Sequence, residues 1–149
     1  MRYLAESFIL SALGRGKSVE QFLGPVGTLD RPGVGYVEVR PAGHGYEAWL
    51  HRAIDADGAT WDLTSLPPLA AEGNAGEEDF GLHLLTATDP LDAVAAAEAR
   101  TGAVRARWVN ETKAGDEYRD YVLAGRPATA PDGAPWPSPS TPGYQASTA

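Results

Sequence analysis

The sequence predicts an α+β domain: an antiparallel sheet of three to four strands (a meander), with N-terminal helices and two C-terminal helices packed on it, followed by a Pro-rich tail. Three observations lead there. Between residues 34 and 64 apolar side chains alternate with polar ones, the period of a strand with one buried face. On either side of that stretch apolar residues recur at three- and four-residue spacing, the period of an amphipathic helix. From Arg126 onward, six of the 12 prolines fall among Ser, Thr, Ala and Gly, a composition that buries too little apolar surface to offset the entropy of ordering. The expected organisation is one domain over residues 1–125 and a flexible Pro/Ser/Thr-rich tail over 126–149. Trp136 and Tyr144 are the tail's large apolar residues, and Trp136 is its candidate for docking.

The elements follow in order. Leu4, Phe8, Ile9, Ala12 and Leu13 give a first helix one apolar face, and Gly14 with Gly16 ends it. Ser18 with Gln21 matches a capping box, which predicts a second short helix burying Phe22 and Leu23 and stopping at Gly24-Pro25. Val37 and Val39 then alternate with Tyr36, Glu38 and Arg40. After a turn at residues 41–45, Ala48, Leu50 and Ile54 alternate with Glu47, Trp49 and His51. The turn signature Asp55-Ala56-Asp57-Gly58 leads to a third strand through a core Trp61 and Leu63, ended by Pro67-Pro68. Phe80–Ala87 is a candidate fourth strand, in which His83 stands alone among leucines as a hydrogen-bonded or edge residue. Asp89 as N-cap with Pro90 at the first helical position opens a helix that closes at Gly102. A last helix spans about Asp116 to Ala124, with Tyr118, Tyr121 and Val122 on one face and Gly125 as its stop.

Composition narrows the function classes. The net charge of −8 and pI near 4.7, with 12 Lys and Arg against 20 Asp and Glu, oppose nucleic acid as a partner, because that affinity comes from cations releasing phosphate counterions. A helix-turn-helix around residues 15–17 fails for the same reason and because the second helix is too short for a major groove. The absence of cysteine rules out disulfides and thiolate metal sites. No apolar run reaches a membrane span and no signal-peptide pattern is read at the N-terminus, so the expected location is the cytoplasm, with no membrane partner.

Three motif-like strings do not hold. His44, Glu47 and His51 spell a metal-like pattern, but on a strand Glu47 and His51 are about 13 Å apart. The Asp55–Gly58 turn resembles the start of a calcium loop but has Leu66 where the bidentate Glu belongs. The stretch Gly14–Ser18 lacks the first glycine and the preceding strand of a phosphate loop. No metal and no cofactor is expected.

The candidate functional surface is the second face of the meander. Pairing Val39 with Ala48 and Val37 with Leu50 gathers the apolar set on one side. It also sets Arg40 opposite Glu47 and Tyr36 opposite His51. The third strand would bring Asp62 opposite His51. The expected partner-binding set is Tyr36, Glu38, Glu47, Trp49, His51 and Asp62, extended by the acidic loop residues Glu77, Glu78 and Asp79. An exposed tryptophan among carboxylates has the pattern of an interaction hot spot. In size, acidity, lack of cysteine and layout, the chain is similar in kind to bacterial immunity and antitoxin-like proteins.

The leading expectation is a non-catalytic acidic binding protein, immunity- or antitoxin-like, engaging a basic protein partner such as a toxin, as a monomer or weak homodimer. The alternative is a small hydrolase-like acid–base enzyme with His51 as the acid–base group and Asp62 or Glu47 beside it, since a carboxylate can orient and raise the basicity of a histidine. A structural or scaffolding subunit is the third class.

Overall fold

The computed structural model describes residues 2–28, 30–55, 60–69 and 81–137. Helix α1 (Glu6–Gly14) leads into strands β1 (Val19–Gly27), β2 (Pro32–Ala42) and β3 (Gly45–Ile54). A single 3-10 turn (Leu63–Ser65) precedes β4 (Leu82–Ala87), α2 (Pro90–Thr101), a second 3-10 turn (Arg105–Arg107), the short β5 (Val109–Asn110) and α3 (Ala114–Leu123). The strands form one sheet in the order β4-β3-β2-β1-β5, antiparallel throughout. The α+β class therefore holds, with five strands and a single N-terminal helix. No helix among the described residues is long and apolar enough to cross a membrane.

The β2–β3 register is the one the apolar alternation dictates: Val39 faces Ala48, Val37 faces Leu50, Arg40 faces Glu47 and Tyr36 faces His51. On the first face of the sheet, Val19, Leu23, Val37, Val39, Ala48, Leu50 and Leu84 pack under α1 and α2, which contribute Ile9, Ala12, Leu13, Ala93, Val94 and Ala97. Phe8, placed on that apolar face by spacing, instead stands 63% exposed. Helix α2 has the caps its sequence announces. The Asp89 carboxylate accepts from the Leu91 and Asp92 N–H groups, and Gly102 closes the helix in the left-handed conformation (φ 80°).

Two expected elements are corrected. Residues 18–23 are not a helix but the start of β1. Phe22 and Leu23 are adjacent in sequence because one points to each face of a doubly covered strand, with a bulge between Phe22 and Gly24. Gln21 does not cap; its side-chain amide donates to the Val104 carbonyl (2.8 Å) and accepts from the Val104 N–H (2.9 Å). The third strand does not form at Trp61–Leu63. Trp61 is half-buried, edge-on to Tyr118, and Asp62 caps the first 3-10 turn. Among the described residues of this segment, Pro67–Leu69 meet β3: the Pro67 carbonyl accepts from the Ile54 N–H and the Leu69 N–H donates to the Arg52 carbonyl. Along Tyr46–Leu50, the neighbour of β3 is β4.

The second face is divided. At one end Phe22, Val34, Tyr36 and Ala53 form a second core with Leu63 and Leu66 and with Ala114, Tyr118 and Tyr121 of α3. The segment after α3 joins it. Trp136 lies edge-on to Phe22 (5.5 Å) and Tyr121 (5.7 Å) and donates to the Pro127 carbonyl. Arg126 grips Asp55 through two hydrogen bonds of 2.8 and 3.1 Å. Among the described residues, no helix covers the other end of this face.

Candidate functional site

The open half of the second face is built by strand alternation. Glu20 of β1 and Glu38 of β2 are cross-strand partners, Glu38 neighbours Trp49 of β3, and Trp49 neighbours His83 of β4. One row thus carries two carboxylates, an indole and an imidazole. In the adjoining row Arg40 pairs with Glu47. The Arg40 guanidinium lies 4.5 Å above the Trp49 ring, 3.6 Å from Glu38 and 3.9 Å from Glu47. Trp49 donates its indole N–H to Glu47 (3.1 Å), and His83 packs edge-on against Trp49.

His51 is fixed rather than poised. Its Nε2 lies 2.9 Å from a Glu38 oxygen, and its ring stacks on Tyr36 at 4.6 Å. A Cβ on Gly81 would lie 2.6 Å from that ring. Burial pushes the Glu38 carboxyl up, but the hydrogen bond and charge of His51, with Ser18 and Arg40, bring it below the ordinary carboxylate value. The carboxylate partner of His51 is therefore Glu38, and not Asp62 or Glu47.

Between this sheet face and α3 opens a cavity of about 260 Å³ lined by Glu20, Tyr36, Asp62, Leu63, Thr64, Thr112 and Gly115. Its floor is unusual for its polarity. Glu20 is buried, and burial raises its carboxyl pKa against the backbone N–H groups of Thr112 and Ala114 that bond it. Tyr36 is 6% exposed, and its phenol is held protonated by burial and then by Glu20, Glu38 and Asp62. On the rim, the Asp62 carboxylate accepts from the Thr64 N–H and hydroxyl and from the Ser65 hydroxyl, which hold it ionised below its ordinary value. Thr112, also on the rim, has φ 72°, a conformation that strains a β-branched residue.

The structure thus brings Glu38, Glu47, Trp49 and His51 together and places Asp62 in the lining of the same cavity as Tyr36. Tyr36 belongs to the second core rather than to the surface. Glu77, Glu78 and Asp79 lie outside the described residues. Glu20 and Thr112 escape sequence reasoning. The signal for Glu20 was its place opposite Glu38, legible only if residues 19–27 are read as a strand. Nothing in the sequence announces the backbone of Thr112. Comparison with known proteins gives no significant match to a family model, a curated protein or a solved structure. What this face recognises is therefore argued from its own geometry and charge.

Proposed function

We propose that the chain is a non-catalytic binding protein, of immunity or antitoxin type, that engages a basic protein through the open half of its sheet. The observation that carries the reading is the row Glu38–Trp49–His83 with Glu47 alongside, partly exposed and covered by no helix among the described residues. Arg40 supplies a precedent within the chain: a guanidinium stacked on Trp49 between two carboxylates is the geometry that a partner's arginine would adopt. The net charge of −8 favours fast, salt-sensitive encounter with a cationic surface. His51, with Glu38 on its Nε2 and Tyr36 on its ring, reads as a positioning element of this face and not as a free base.

The test is capture from the native host with wild type and with Trp49→Ala and Glu47→Lys as baits, followed by titration of the purified partner. The expected partner is basic, its association slows as salt rises, and Trp49→Ala weakens binding by about 2 kcal/mol or more. Affinity indifferent to both substitutions and to salt would sink the reading.

A further inference from the structure

The cavity beside the open face has a more specific chemistry than the face itself. Tyr36 lines it with a side chain that is almost wholly buried, and its hydroxyl, which bonds to no described residue, is left available to whatever enters the cavity. Two carboxylates, Glu20 and Asp62, line the same cavity, and they act on the phenol together with Glu38. We infer that this cavity is a socket for one cationic side chain, the guanidinium or ammonium of an arginine or lysine projecting from the basic partner; the inference rests on the function proposed above.

Three features select that occupant. The sign of the charge excludes anions, because the Glu20 carboxylate already occupies the first amides of α3, accepting from the Ala114 N–H. The size, about 260 Å³, falls below the roughly 300–1,000 Å³ of pockets that take drug-sized ligands and suits a single side chain. The lining combines acceptors with an apolar side chain: Asp62 and Thr64 are exposed, and Leu63, Tyr36 and Glu20 are buried. An entering N–H would bond the Tyr36 oxygen and place a positive charge beside a carboxylate that burial otherwise penalises. Lysine and arginine have the aliphatic stem and polar head that such a layered site requires.

The probe is N-acetyl-arginine methylamide, with the neutral isostere N-acetyl-citrulline methylamide as control, titrated into the full-length isotope-labelled protein. The expected result is saturable shift changes at the amides of Glu20, Tyr36, Thr64, Thr112 and Gly115, at least tenfold weaker for the citrulline probe. Glu20→Gln should weaken the arginine probe at least tenfold. Tyr36→Phe, which removes only the hydroxyl, should weaken it several-fold with the fold intact. Equal response to both probes, or full affinity retained in both variants, overturns the socket. The two readings separate cleanly. A captured basic partner that binds Glu20→Gln and Tyr36→Phe as tightly as wild type overturns the socket and keeps the face. Saturable arginine binding here, with partner affinity indifferent to Trp49→Ala and Glu47→Lys, keeps the socket and overturns the face.

Discussion

Asp55 holds three hydrogen bonds on one carboxylate: the Tyr118 hydroxyl at 2.7 Å and two from Arg126. Burial pushes its pKa up, but Arg126 and Tyr118 outweigh burial and leave it lowered. A lowered folded-state pKa gives stability that is present above the unfolded value, near 4, and is lost as pH falls through the folded one. Asp55→Asn should therefore cost about 2 kcal/mol at pH 7 and progressively less in acid, as read by urea unfolding at several pH values. Glu20 has the opposite sign. Its raised pKa means that the ionised form opposes folding above the folded-state value and that the penalty vanishes below the unfolded one. Glu20→Gln should raise the melting temperature at pH 7 and lose that advantage near pH 3, which also shows that the variant used to probe the socket is folded. Thr112 is exposed and strained at φ 72°. Thr112→Gly should be neutral or stabilising by up to about 1 kcal/mol, where glycine in a relaxed position normally destabilises.

At the scale of elements, legibility followed the number of faces each one buries. β2 and β3 alternate along most of their length, so apolar alternation alone dictates their register. Helix α2 carries its own caps in Asp89, Pro90 and Gly102. Strand β1 is buried on both faces over Val19–Gly24, so period-two alternation disappears, and Ser18 with Gln21 imitates a capping box. The Gln21 side chain instead satisfies both backbone groups of Val104, joining β1 to the connection after α2. Gln21→Leu should cost about 1 to 2 kcal/mol, because it removes two hydrogen bonds that tie buried Gln21 to part-buried backbone groups; chemical denaturation measures it, and no loss of stability would refute this account. The misplacement of Asp62 has a similar origin. Alternation through Trp61 and Leu63 looked like a third strand, but Asp62 bonds its own turn through Thr64 and Ser65, a local competitor that sheet pairing must overcome.

For the whole molecule, the decisive feature is the division of the sheet's second face. The Trp136 ring is packed against Phe22 and Tyr121 and sits 5.2 Å from the guanidinium of Arg107, which is 5% exposed. Trp136→Ala should cost about 3 kcal/mol, and truncation after Gly125 should cost more, because it also strips Arg126 from Asp55. A truncated chain as stable as the full one in thermal unfolding would show that this segment adds nothing. By itself, the sequence determined the α+β class, the β2–β3 register, the α2 boundaries and the grouping of Glu38, Glu47, Trp49 and His51, because each follows from short-range periodicity or capping. Long-range packing sets which carboxylate His51 bonds, the burial of Tyr36 beside a cavity, and which part of the sheet's second face α3 covers. Those outcomes depend on where α3 and Trp136 come to rest, and contacts between segments so distant in the chain leave no periodic trace in the chain itself.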